Sequence, residues 1–451
     1  MKKYYLLGLL IFILTACIDD KTNPGLDPIA RIIFKNQFQT EAYKCDQWSE
    51  FKLPCPEITQ TNTNKPLLYR WEINFKEVST EKDLVFVCNE LTDGYPCRLI
   101  VSNEDGNSTL DFTLRVTSPY EEGLVVLSKY KDNSLLSFKR EDIEDQEFQL
   151  DAYKRNNPGV SLGTVPTSIL KHYTNLYIAT ENPAQIVIVN YKTFAARKKI
   201  ANPDPHLKYI IGNLDHNFGL TFLGGGKMLS FDPSQDGYMN APQKTLEEMY
   251  PDAVLADKGI HLHKGWDNDI LIYDNHDGML LYGEWGSQSI EPEIFNGKTL
   301  VDMVTCKEEE EALVFIQDKV TQAIEIVHVN PFLPLVHSVT PATGSGITTN
   351  SAFVASQTSV ILYYSVGNEI FRYDYSSEGH FQNKSDFSVG KTGDVIKTLL
   401  LSPDESKLYV AVNSTDGEYK GDVYCFDNKT RELLWSKTEV AGEIVQMIYK
   451  Q

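Results

Sequence analysis

From residue 122 onward, apolar residues recur in short runs rather than in helical stripes. Seven segments share one form: a strand-like apolar run that mostly ends in an aromatic residue and often in Asp or Asn. They are Ser134–Phe138, Ile186–Tyr191, Lys227–Asp232, Gly278–Tyr282, Ile324–Val329, Glu369–Asp374 and Asp422–Asp427. Six intervals separate positions 138 and 426, a mean spacing of 48 residues. That is close to the period of four-stranded β-propeller blades, roughly 40 to 50 residues. A blade cannot bury both of its faces alone, so neighbours must cover them, and closing the ring removes exposed strand edges. The count of repeats predicts seven blades. The pattern blurs between Pro203 and His216, which leaves six or eight open, and a pair of β-sandwiches is the competing arrangement. Helix is scarce; Lys244–Tyr250 predicts one or two turns.

Residues 27–118 have a different rhythm. Strand-like runs fall at Ile32–Phe34, Leu67–Phe75, Leu84–Cys88, Arg98–Val101 and Thr109–Val116, with turns at Asn74–Thr80 and Glu104–Asn107. Short strands at this density predict a β-sandwich. The run Tyr69-Arg70-Trp71-Glu72-Ile73, followed by the strand from Tyr95 that ends at Asp105-Gly106, resembles the PKD-type immunoglobulin-like domain. The resemblance implies that Trp71 plugs the core between two sheets. The last repeat, Leu399–Val412, likewise resembles the inner hairpin of WD-repeat propellers. The fold class expected is therefore all-β: an immunoglobulin-like (PKD-like) sandwich at 27–118, then a propeller at 119–451.

The chain start supplies an address. Lys2 and Lys3 precede the apolar run Leu6–Leu14, and Leu14-Thr15-Ala16-Cys17 follows. Nine apolar residues are too few to cross a hydrocarbon core of ~30 Å as a helix, so residues 1–16 read as a signal peptide. The small residues before Cys17 resemble a bacterial lipobox, which implies that the Cys17 thiol carries diacylglycerol. Residues 17–26 form a polar tether. Its pair Asp19-Asp20 resembles the surface-export signal of Bacteroidetes lipoproteins.

Charge narrows the partners. Lys and Arg number 42 against 62 Asp and Glu, a net charge of −20. So acidic a surface repels phosphate backbones, and no nucleic-acid partner is expected. Cys45, Cys55, Cys88 and Cys97 lie close together in an export compartment that permits disulfides. Cys88 and Cys97 bracket a turn signal at Asp93-Gly94, and the pairs Cys88–Cys97 and Cys45–Cys55 are expected, although four cysteines allow three pairings. A zinc site is the alternative there, but no C-x-x-C spacing supports it. Cys306 and Cys425 lie alone in apolar patterns and read as buried thiols.

Candidate chemistry is sparse. No nucleophile elbow, phosphate-binding glycine loop or His-Glu-x-x-His motif is present. The richest polar stretch holds His261, His263, Trp266, Asp267 and Asp269, with Asp274, His276 and Asp277 after it. Imidazoles and carboxylates so placed suit a metal, or else form a polar strand end with Asp-rich turns. Trp266 and Trp285 offer either a stacking platform for a sugar or peptide at the propeller mouth or filling between blades. Lys307–Glu311 reads as a solvated hairpin tip. No catalytic or metal residue and no cofactor beyond the acyl group is assigned.

Lipobox, PKD-like sandwich, the junction Ser118–Ser128 and a propeller, in that order, resemble the PKD-like family lipoproteins of Bacteroidetes. The resemblance implies an outer-membrane lipoprotein, lipid-anchored and facing the cell exterior. It also implies an accessory, non-catalytic role in Sus-type nutrient uptake, beside a TonB-dependent transporter and its lid lipoprotein, with a glycan or peptide as ligand. The competing function is a surface glycoside hydrolase or lyase with acidic residues in the propeller funnel.

Overall fold

The structure is a computed structural model. It describes residues 29–451 except 144, 213–218, 240, 263–269, 284–285, 287, 334 and 377–380. The chain separates into two compact units, Met1–Ser118 and Pro119–Gln451. No helix among the described residues is long and apolar enough to cross a membrane.

The first unit is a β-sandwich of nine strands among the described residues: β1 Ile32–Phe34, β2 Tyr43–Asp46, β3 Glu50–Leu53, β4 Ile58–Gln60, β5 Leu68–Ile73, β6 Lys76–Ser79, β7 Leu84–Val87, β8 Thr92–Asn103 and β9 Gly106–Thr117. One sheet runs β2-β9-β8-β5-β6; β3-β7 and β1-β4 form two-stranded pairs. Alternation along β9 buries Leu110, Phe112, Leu114 and Val116 and turns the intervening residues outward, as period-two patterning requires. Trp71 is fully buried among these side chains, edge-on to Phe112, and its indole N–H donates to the Glu81 carbonyl at 2.9 Å. The core-plug expectation for Trp71 holds.

Asp93-Gly94 is not the expected turn. Both residues lie inside β8, where the register against β9 shifts between Thr92 and Tyr95. Ten residue pairs along the ladder outweigh a two-residue turn preference, and the ladder absorbs the glycine as a bulge. Cys88 and Cys97 nevertheless lie in the same buried cluster.

The second unit is a β-propeller. Seven antiparallel sheets lie among its described residues, numbered here along the chain. The first joins Gly123–Tyr130 and Asn133–Arg140 to the C-terminal strand Glu443–Lys450. The second to seventh have four strands each, and begin at Pro166–His172, Leu207–Ile211, Leu255–His261, Lys298–Cys306, Phe353–Ala355 and Val395–Leu401. Each of these innermost strands touches its counterpart in the next sheet. Val395–Leu401 touches Glu443–Lys450, and Glu443–Lys450 touches Pro166–His172, so the ring is closed. Hydrophobic clusters straddle neighbouring sheets: Leu271, Tyr273 and Leu280 of the fourth pack with Val314, Ile316 and Val327 of the fifth. Each fully buried aliphatic side chain contributes roughly 1.5–3 kcal/mol, and it does so only when the next sheet is in place.

All seven sequence repeats fall on the third strand from the centre of their sheets. Their terminal Asp or Asn has a local cause. Asn190 Oδ1 accepts from the amide of Lys192 at 2.9 Å, Asp232 Oδ1 from Ser234 at 2.8 Å, Asn330 Oδ1 from Phe332 at 3.1 Å, Asp374 Oδ1 from Ser376 at 2.9 Å and Asp427 Oδ1 from Lys429 at 2.9 Å. The side chain thus builds the same Asx turn into the outer strand each time.

The closing seam is tied by a buried charge cluster. Glu141, just past the third strand of the first sheet, accepts from Lys139 Nζ at 2.6 Å, from Lys407 Nζ at 2.9 Å and from the Tyr409 hydroxyl at 2.7 Å. Lys407 and Tyr409 belong to the seventh sheet. Lys450 is wholly buried and donates to the carbonyls of Tyr120 and Glu121. Three short helices lie among the described residues; Ala241–Met249 takes in the expected Lys244–Tyr250 turn except for Tyr250, and begins earlier.

Candidate functional site

The innermost strands converge on a cavity of about 430 Å³ along the propeller axis, and all seven sheets contribute to its wall. Thr167 comes from the second sheet, Lys208 and Tyr209 from the third, Asp257 and Lys258 from the fourth, Asp302 from the fifth, Lys397 from the seventh and Gln446 from the first. The sixth contributes Phe353 and the segment before it, including Asn350 and Ser351.

The polar groups of this wall are held in place. Lys258 Nζ pairs with Asp302 Oδ2 at 2.5 Å, and Asp302 Oδ1 accepts from the Met303 amide at 2.8 Å. Lys208 pairs with Glu181. Burial pushes the Asp257 carboxyl up, with Lys208 opposing and Glu181 reinforcing. Burial, helped by the charge on Asp302, pushes the Tyr209 phenol up to about 12. Gln446 Oε1 accepts from the Ile169 amide at 2.9 Å and from Ser168 Oγ at 3.2 Å, and Ser168 Oγ accepts from the Ile210 amide at 3.3 Å. That chain fixes the inner strands of three sheets against one another. A wall of three lysines, two aspartates and neutral amides and hydroxyls suits a polar, hydrogen-bonding solute. Its chemistry as an acid–base pair is limited, because Asp302 is committed to Lys258.

The sandwich has a larger groove, about 620 Å³, lined by Phe38, Phe75, Arg98, Asp111 and Phe112 among others. Its charged groups pair at the surface, Arg98 Nε to Asp111 Oδ1 at 2.8 Å, where such pairs contribute little. The axial cavity draws its wall from all seven sheets and holds the ordered Lys258–Asp302 pair, and is the stronger candidate.

Cys17, His263, Trp266, Asp267, Asp269 and Trp285 lie outside the described residues. His261 ends the innermost strand of the fourth sheet, opposite Ile270, and is not part of the cavity wall. Asp274 is buried, and its oxygens accept from the amides of Val254, His276 and Asp277 at 2.7, 2.9 and 3.2 Å. The Asp-rich turn reading describes it. Cys45, Cys55, Cys88 and Cys97 are thiols in this structure, and neither expected bond is formed. Cys88 instead shares a hydrogen bond with Cys45; burial first, and that contact second, push its thiol up to about 12. Cys55 sits apart, near Lys82 and Asp83. The hairpin tip at Lys307–Glu310 is as expected, but Glu311 is buried rather than solvated. Its environment includes Cys306 and His328, a convergence that no sequence motif announces.

Residues 17–166 match the PKD-like family. The match takes in the sandwich and runs past Ser118 through the first two strands of the propeller. No curated protein sequence matches the chain. Among solved structures, a quinoprotein alcohol dehydrogenase-like protein of Bacteroides thetaiotaomicron is similar at 15% identity and TM-score 0.48, covering 94% of this chain and 97% of that one. Hydrazine synthase of Kuenenia stuttgartiensis is similar at 8% identity and TM-score 0.43, covering 58% and 77%. The Cps50 (Swd1) β-propeller domain of Myceliophteria thermophila is similar at 10% identity and TM-score 0.42, covering 60% and 85%.

Proposed function

We propose that this chain is a lipid-anchored accessory binding protein of the bacterial outer membrane, facing the cell exterior and serving a Sus-type nutrient-uptake complex. The lipobox-like Leu14–Cys17 supports the anchor, with acyl chains on Cys17 supplying membrane affinity of ~0.8 kcal/mol per buried methylene. The observation that carries the binding role is the axial cavity. Lys258 and Asp302 hold one another in its wall, so a polar solute such as a glycan or peptide segment meets a fixed pair there at little ordering cost. The partners are a TonB-dependent transporter and its lid lipoprotein.

Calorimetry of the purified chain against glycan and peptide panels tests the reading. Binding that falls at least tenfold in Lys258→Ala, with no product formed, is the expected result. Binding unchanged by that substitution removes the cavity from the account.

One observation favours a second reading, a glycoside hydrolase or lyase. Asp257, its carboxyl raised by burial, shares the cavity with the paired carboxylate Asp302, and glycosidases use one raised and one ionised carboxyl. Turnover on any panel member that is abolished by Asp257→Asn establishes that reading instead.

A further inference from the structure

Away from the axial cavity, the fifth sheet brings together side chains that bind metals. Cys306 closes the strand Lys298–Cys306, and Glu311 opens Glu311–Asp318 directly opposite it in register. His328, on the strand Ile324–Asn330, lies opposite Leu313, two residues along from Glu311. Residues paired across an antiparallel ladder share a face, as do residues two apart, so Cys306, Glu311 and His328 point the same way. The register of the outer strand Leu335–Pro341 slips between His328 and Val329, which makes His337 an extra residue on that strand. Such a bulge re-aims a side chain, and His337 Nε2 reaches Glu311 Oε1 at 3.3 Å.

The distances are close to those of a coordination shell. Donor atoms of Cys306, Glu311 and His328 all lie within 4.8 Å of one another, and all three residues are buried. Glu311 Oε2 is 2.6 Å from His328 Nε2, and the two imidazole centroids are 4.9 Å apart. In a tetrahedral site with bonds of about 2.0–2.3 Å, donors stand roughly 3.3–3.8 Å apart. Adjustments of ångström size therefore convert the cluster to a shell. The donor set is one sulfur, two imidazoles and one carboxylate, which selects zinc and its neighbours over magnesium or calcium. A divalent charge would balance a Cys306 thiolate and the Glu311 carboxylate, a buried pair otherwise opposed by desolvation. Outer partners are present as well. Lys307 Nζ lies 2.7 Å from Glu311 Oε2, and the Tyr375 hydroxyl hydrogen-bonds the Cys306 sulfur. Such groups orient metal ligands in known sites.

We propose that Cys306, Glu311, His328 and His337 form a structural site for one divalent cation of the zinc class, fastening all four strands of the fifth sheet together at one edge. Four protein donors leave no open position, so the site is structural rather than catalytic.

Cobalt titration of the chelator-treated full chain tests this. The expected result is one equivalent bound, with tetrahedral visible bands and a near-ultraviolet thiolate-to-cobalt charge-transfer band, both displaced by zinc. Cys306→Ser removes the charge-transfer band. His337→Ala, a change on the partly exposed outer strand, leaves the far-ultraviolet circular dichroism intact and weakens cobalt binding at least tenfold, so the test survives if Cys306→Ser fails to fold. Absence of cobalt binding overturns the proposal. So does a charge-transfer band that persists in Cys306→Ser, which would place the metal on Cys45, Cys88 or Cys97. So does one-equivalent binding without any thiolate band, or binding indifferent to His337→Ala.

Discussion

Glu141→Ala should be the most informative single change in the propeller. The carboxylate is almost fully buried and accepts three hydrogen bonds, two from lysines and one from Tyr409. Charge-assisted hydrogen bonds contribute about 1.5–3 kcal/mol each, and removing one partner of a buried charge cluster costs about 3–5 kcal/mol because the remaining charges are stranded. Lys139 would keep only the Arg140 carbonyl at 3.1 Å and the face of Trp435 at 4.6 Å. We expect a loss of roughly 3–5 kcal/mol at pH 7, read by urea unfolding with Trp435 fluorescence as the seam probe. The pH dependence has a definite sign. Burial raises the Glu141 pKa, but hydrogen bonds from Lys139, Lys407 and Tyr409 outweigh it, and the net shift is downward. A depressed folded value means that the stabilisation is fully present above the unfolded value of 4.5 and is lost as pH falls through the folded one. The gap between wild type and variant must therefore narrow in acid. A loss below about 1 kcal/mol at pH 7, typical of an exposed pair, or a gap that stays constant on acidification, refutes the reasoning.

Three further outcomes follow from other parts of the structure. Burial lowers the Lys450 ammonium to about 7 against an ordinary 10.5, so the unfolded chain binds its proton first as pH falls; wild-type stability should rise from pH 7 to 9, and Lys450→Met should flatten that rise in paired denaturant titrations. Asp427→Ala removes an Asx turn whose oxygen holds the amides of Lys429 and Thr430, and should lower the denaturant midpoint without changing the far-ultraviolet spectrum. Mild oxidation followed by peptide mapping should recover a Cys45–Cys88 crosslink, because those sulfurs are already in contact; a Cys45–Cys55 peptide would contradict the observed packing of the sandwich.

The propeller was legible because its signal is local and repeated. Each third strand is apolar and five of the seven carry their own turn residue, so Asp232, Asp374 and Asp427 announce the same structure in three places. Trp71 was legible for the same reason, a large aromatic on an alternating strand. The axial wall was not. Asp257, Lys258 and Asp302 look like ordinary strand polars, and only ring closure brings strands some forty residues apart onto one axis. Cys306, Glu311, His328 and His337 escaped notice because their convergence depends on ladder register and on a one-residue slip that no sequence pattern announces. The turn preference at Asp93-Gly94 lost to the long β8–β9 ladder.

The uptake role is tested most directly by isolating the tagged full-length chain from outer membranes in mild detergent. The account predicts recovery with a TonB-dependent transporter and its lid lipoprotein, and recovery lost when Cys17→Ala abolishes acyl labelling. A chain that labels with palmitate yet emerges as a lone monomer, with no transporter and no retained glycan or peptide, contradicts it.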